Sequence, residues 1–329
     1  MMITGRQPNP ALAAAITKAA SKQTYFTIRF LVDRERVADA YRAYAYFRWV
    51  DDCLDADSIS SPERNAFIQR QKSLLADCLA GSFPAEPCPQ ERMLVELVRR
   101  DGEKTGGLRA YLVNMMAVME FDAARRGRVI SQAELDQYTR WLAIAVTEAM
   151  HHFVGHDCFS PRGEGRHLAV SAAHITHMLR DAAEDLHAGY FNIPREVLEV
   201  NQISPQDFTS PGYRLWVRRR VKLARLFFSA GRKYLQQCEC LRCRLAGFAY
   251  MARFEWLLDT FERENYLLRP AYPERNSPGA VARIFVSLFS QRVSKPGEIA
   301  PRTIPAGLRS ASPGFRHNFP GSLGESNHR

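Results

Sequence analysis

Residues 41–57 read YRAYAYFRWVDDCLDAD, and residues 174–194 read HITHMLRDAAEDLHAGYFNIP. In the first stretch Ala, Leu, Arg and aromatic residues recur at helical spacing, so Asp51 and Asp55 fall one turn apart on one face. Asp52 points about 100° away from them. Unpaired like charges at that spacing cost a helix about 0.2–0.5 kcal/mol, so a cation is expected between them. Arg48, three residues before Asp51, shares the face, and a guanidinium fork suits a diphosphate. The second stretch repeats the pattern with Asp181 and Asp185, with Glu184 between them and Arg180 directly before Asp181. One such motif reads equally well as a solvated helix end. Two of them, opposed across a cavity, would hold divalent ions against one diphosphate. Mg²⁺ fits, because it takes one or two carboxylates and completes its shell with water and phosphate oxygens.

Outward from these stretches, helical periodicity runs from about residue 11 to 270, with no clean strand alternation, so the fold class is all-α. Ser61-Pro62, Ser131-x-x-Glu134 and Ser204-x-x-Asp207 are read as helix starts. Prolines mark loops at 81–90 and 156–165. The expected organisation is a lead over 1–15, one helical domain over 16–293 and a disordered, Pro/Gly/Ser/Arg-rich tail over 294–329. Residues 280–293 are expected to form a short amphipathic helix.

The chain has 329 residues, is 46% hydrophobic and carries a formal charge of +10, enough for a sizeable core and suited to an anionic partner. No aromatic-and-basic nucleic-acid module is present, so no nucleic-acid partner is expected. Seven cysteines, an odd number, favour free thiols in a reducing compartment over a disulfide framework, and Cys240-x-x-Cys243 lacks a second ligand pair. His152 and His156, four apart, lack a third ligand. Pro8 and Pro10 interrupt the only leading apolar stretch, and no apolar run is of spanning length. The expected location is the cytoplasm, with contact at a membrane surface left open; oligomeric state is not legible.

With the succession SKQTYF, YRAYAYFRWVDDCLD, MEFD (119–122), LRDAAED, GYFNIP, WVRRRVKLARLFF and FERENY, residues 20–270 resemble the squalene/phytoene synthase family, the head-to-head trans-prenyltransferases. The resemblance implies a single isoprenoid-synthase helical bundle around a central cavity. It also implies condensation of two prenyl diphosphates through a cyclopropyl diphosphate. On that pattern Asp51, Asp55, Asp181 and Asp185 hold Mg²⁺, and Arg48, Arg180, Ser21 and Lys22 contact diphosphate. Tyr44 and Tyr266 face the reacting centre. Squalene-forming members also use NADPH and phytoene-forming members do not; no nucleotide-binding Gly motif is present here.

The chain departs from the pattern at several positions. His177 stands where the family carries a metal-site Asn, and shares the aspartates' face as a candidate diphosphate contact, metal ligand or proton acceptor. His174 replaces a Gln, Tyr190 an Arg, and Asn192 a Tyr; Ile144 and Thr147 occupy Gly positions of the chain-binding channel. His177, Asn192 and the filled channel keep one alternative in view, a terpene-cyclase-like lyase or a prenyltransferase with another acceptor; a non-catalytic assembly factor, a role the fold takes when the aspartates are lost, ranks last because all four are present.

Overall fold

A computed structural model describes residues 10–56, 59–101 and 106–272; the expectations for 280–293 and 294–329 lie outside the described residues. The described residues form twelve α-helices: α1 (Pro10–Ala20), α2 (Lys22–Leu31), α3 (Val37–Asp55), α4 (Ser61–Leu79), α5 (Pro89–Arg100), α6 (Gly107–Arg125), α7 (Gln132–Phe153), α8 (Leu168–Arg180), α9 (Ala182–His187), α10 (Arg195–Asn201), α11 (Pro211–Gln236) and α12 (Leu241–Arg263). The all-α expectation holds. Among the described residues the β-structure is one isolated parallel bridge, Val129 to Phe191, which joins the loop after α6 to the loop after α9.

Local chemistry explains several helix starts. At Ser131 the hydroxyl accepts the Glu134 N–H (3.2 Å) while Glu134 accepts the Ser131 N–H (2.8 Å), a full capping box. Two readings shift. The cap of α4 is Ser60, boxed with Glu63, so Ser61 is already helical. Ser204 and Asp207 do pair, the Ser204 N–H reaching Asp207 at 2.7 Å, but they close a turn; α11 starts at Pro211, whose ring presets a helical φ, with Ser210 as its cap.

The core has two parts. Tyr46, Leu94, Leu97, Leu112 and Ile130 are buried among α1 to α7, and Val217, Phe228, Met251, Leu258 and Phe261 among α8 to α12. Met150 of α7 packs against both. Each such large side chain contributes about 1.5–3 kcal/mol by leaving water. Against α8 the backbone of α11 comes very close: a Cβ on Gly231 would lie 2.6 Å from the Ala169 Cβ and 2.8 Å from its N, so only glycine fits. That crossing seats α8, and therefore the second acidic motif. At the far end of the bundle Asp33 accepts the N–H groups of Gly155 and His156 and the Arg242 guanidinium, tying the end of α2 to α7 and α12.

Candidate active site

The first acidic face is the last turn of α3. Its Tyr46, Val50 and Leu54 side is buried, which turns Tyr44, Arg48, Asp51 and Asp55 the other way. Arg48 divides its fork between Asp51 (3.3 Å) and Asp52 (2.5 Å), so Asp52 is engaged rather than isolated. Burial, with repulsion from Asp55 and Asp122 outweighing Arg48, raises the Asp51 carboxyl to about 6. Tyr44 stands between Thr24 and Arg48; burial raises its phenol, opposed by both neighbours.

The second face is not one continuous helix, as its spacing suggests. The chain leaves helical geometry at Asp181 (φ −95°, ψ 6°) and α9 resumes at Ala182. The one-turn relation survives because the Asp185 N–H still reaches the Asp181 carbonyl at 2.8 Å. Arg180 clamps Asp181 with two hydrogen bonds of 2.5 Å, and His177 Nε2 lies 3.2 Å from the same carboxylate. His177 is half exposed, its ring 6.4 Å from Phe254 of α12. Glu184 is exposed. Burial and repulsion from Asp181 and Asp122 raise the Asp185 carboxyl to about 6, opposed by a hydrogen bond from Asn192 and by Arg125.

Between the faces stands Asp122 of α6, quoted above only as part of MEFD. Its charge is felt by Asp51 and Asp185, and it feels Asp55 in turn. Burial raises its carboxyl against the hold of Arg125 (2.6 Å) and Tyr138 (2.9 Å). Arg125 lies between the rings of Tyr138 (5.0 Å) and Tyr190 (4.7 Å) and donates to Asn192 Oδ1 at 3.0 Å. Asn192 donates to Asp185 at 2.6 Å, and the Tyr190 hydroxyl donates to Asp55 at 3.2 Å. Sequence reasoning missed Arg125 and Tyr138; the Asp122-x-x-Arg125 spacing was the available signal.

Ser21 caps α2, accepting from the Thr24 N–H (3.1 Å) and hydroxyl (2.9 Å), and Lys22 beside it is exposed. Tyr266 (φ 63°) rests on the α8–α12 core with Arg218 5.9 Å from its ring; among the described residues no hydrogen bond joins it to the four aspartates. His174 is buried edge-on to Tyr138 (4.8 Å), with its Nδ1 3.2 Å from Thr139 Oγ1, and burial holds it neutral, well below the ordinary imidazole value. His152 and His156 do not share a helix: α7 stops at Phe153, Gly155 takes φ 73°, and Arg36 holds His152 at 2.8 Å. The Cys240 thiol caps α12, and all seven cysteines are free. Recesses of about 260 and 520 Å³ lie around His152 and Arg166, toward the opposite end of α7 from Tyr138.

Among the described residues no three ligating side chains are preassembled around a metal position. The donor set nonetheless suits Mg²⁺. It consists of hard carboxylate oxygens, two of them pushed toward neutrality by burial and mutual repulsion, which a divalent ion would relieve.

The presqualene diphosphate synthase of Zymomonas mobilis is 30% identical over 188 residues, covering 56% of this chain and 60% of that protein. That of Rhodopseudomonas palustris is 28% identical over 203 residues, 61% and 67% of the two chains. The crystal structure of squalene synthase HpnC from Alicyclobacillus acidocaldarius superposes with a TM-score of 0.63 at 18% identity, covering 79% of this chain and 95% of that one. A dehydrosqualene synthase crystallised with a ligand gives 0.63 at 16% identity, covering 87% and 96%. At those identities the likeness is one of fold. A family model described as squalene/phytoene synthase matches residues 17–278, which include both acidic faces and Asp122, and the chain therefore belongs to the squalene/phytoene synthase family.

Proposed function

We propose that this chain condenses two allylic prenyl diphosphates head to head, with Mg²⁺ held by Asp51 and Asp55 on one face and Asp181 and Asp185 on the other. The observation that carries the reading is the meeting of two acidic faces across Asp122, with Asp51 and Asp185 both raised to about 6. Bound Mg²⁺ would neutralise charge on the departing diphosphate. The residues do the rest. Arg48 and Arg180, paired with their own aspartates in the free protein, turn to the diphosphate oxygens. Tyr44 and Phe254 offer ring faces beside the two motifs, steadying positive charge and excluding water.

In the first half-reaction the C1–O bond of one substrate breaks and its electron pair leaves on diphosphate. The double bond of the second substrate attacks the resulting allylic cation. That attack bonds C1 of the first substrate to C2 of the second and leaves positive charge on C3; loss of a proton from C1 of the first substrate then closes the cyclopropane onto C3, so two prenyl diphosphates yield one cyclopropyl diphosphate, one diphosphate and one proton. The two relatives named as presqualene diphosphate synthases are consistent with this step.

The test is incubation with farnesyl or geranylgeranyl diphosphate and Mg²⁺, with and without NADPH, followed by diphosphate release and product mass. A product carrying two prenyl chains is expected. Asp51→Ala and Asp181→Ala are each expected to lower release about 100-fold or more. Full activity in either variant refutes the reading, and a cyclic or hydroxylated product of the original length replaces it with the lyase alternative, which His177 and Asn192 motivate.

A further inference from the structure

We propose that Arg125 is the positioning residue that sets the two acidic faces at their working separation, with Tyr190 and Asn192 as its two arms. The inference rests on the faces forming a diphosphate site.

The geometry is a single connected span. From Asp55 it runs through the Tyr190 hydroxyl (3.2 Å), across the Tyr190 ring to the Arg125 guanidinium (4.7 Å), on to Asn192 Oδ1 (3.0 Å), and from Asn192 Nδ2 to Asp185 (2.6 Å). A further bond from Arg125 reaches Asp122 at 2.6 Å. Each arm uses a property of its residue type. A tyrosine can donate its hydroxyl to a carboxylate while its ring face receives a cation. An asparagine can accept from a guanidinium through its oxygen while its amide donates to a carboxylate. The loop bearing both arms is pinned to the segment that follows Arg125, by the Gly127 N–H on the Gly189 carbonyl (2.8 Å) and by the Val129–Phe191 bridge. Positions 190 and 192, where the sequence departs from its relatives' pattern, are therefore a matched pair built around an arginine on another helix. Arg125 and Asn192 are both buried, 6% and 5% exposed, so the span is shielded from water where the cation sits. Lysine could not replace the arginine, because a point charge lacks the planar fork that serves Asp122 and Asn192 together.

A residue holding the ligands' partners in this way is expected to govern metal affinity and not fold stability alone. The experiment is calorimetric binding of inorganic pyrophosphate by the full chain across a Mg²⁺ series, with circular dichroism to confirm folding. Arg125→Lys is expected to raise the Mg²⁺ midpoint about tenfold or more, and Tyr190→Phe and Asn192→Ala each about threefold. In the Arg125→Lys background the two arm substitutions should add little, since the span is already cut. A purely structural arginine would lower melting temperature and leave the midpoint of the folded protein unmoved. A folded Arg125→Lys with a midpoint within twofold of wild type overturns the proposal, as do fully additive arm substitutions. Should Arg125→Lys not fold, the Tyr190→Phe/Asn192→Ala double variant decides: less than additive supports the span, additive refutes it. Wild-type protein that binds no pyrophosphate with Mg²⁺ sinks the underlying diphosphate reading and this inference with it.

Discussion

Replacing Asp51 with asparagine should make the metal-free protein more stable at neutral pH while removing its activity. Asp51 has its carboxyl raised from 3.8 to about 6 by burial and by Asp55 and Asp122. A carboxylate raised in this sense binds its proton more tightly folded than unfolded, so its ionised form burdens the folded state. The burden is absent below about 3.8, grows as pH rises through 6 and is complete above it. A rise of roughly 2 units corresponds to a ceiling of about 3 kcal/mol. Because the Asp51 side chain is 39% exposed, solvent screening cuts this to about 1 kcal/mol. Asparagine keeps the shape and drops the charge, and Arg48 keeps Asp52 as a partner. In a chelator-treated series from pH 4 to 8, Asp51→Asn should match wild type at the acid end. By pH 7.5 it should exceed wild type by about 1 kcal/mol, or about 2–4 °C in Tm. Mg²⁺ with pyrophosphate should reverse the order by stabilising wild type only. A variant less stable than wild type at pH 7.5, or a difference constant across pH, would refute the reasoning.

Other consequences concern packing. Gly231→Ala drives a Cβ into Ala169, 2.6 Å from its Cβ and 2.8–2.9 Å from its backbone N and Cα, whereas the nearest atoms to a Cβ on Gly247 all belong to the Leu235 side chain, 2.6 Å away at the nearest methyl. Backbone cannot swing aside and a leucine tip can. Gly231→Ala is thus expected to lose about 1–3 kcal/mol and Gly247→Ala clearly less, in urea midpoints; equal losses would contradict the close crossing of α11 on α8. Thr147 is 1% exposed with no partner for its hydroxyl, so Thr147→Val, which keeps the branched shape, should stabilise by about 1 kcal/mol. Destabilisation in thermal unfolding would show that the hydroxyl is satisfied.

The acidic faces were legible because their signal is local: two carboxylates four residues apart share a face whatever the rest of the chain does. Even the break at Asp181 preserved the spacing, since one i to i−4 hydrogen bond carries across it. Where local patterns competed, the reading slipped. Ser60 and Ser61 both precede Pro62, and either could cap α4. The Ser204 and Asp207 pair satisfies the capping pattern within a turn, while Pro211 starts the helix. Gly155 was a visible warning that His152 and His156 would not share a helix, because its φ of 73° is open to glycine and ends the run.

Arg125 is a different kind of miss. As a sequence feature it is an ordinary basic residue three after an acid. Along the chain Tyr190 and Asn192 are only departures from a pattern, each pointing to an altered fate of the cation when taken alone. In three dimensions Arg125 supplies a buried cation at the place where the pattern at 190 and 192 leads one to expect Arg and Tyr, and the two substituted residues become its contacts to opposite acidic faces. Residues that change together because they meet in space cannot be weighed singly along one chain. The exchanges at 190 and 192 therefore argue less for an altered product than they do when taken along the chain, and His177, 3.2 Å from the Asp181 carboxylate, becomes the departure that bears most on which product forms.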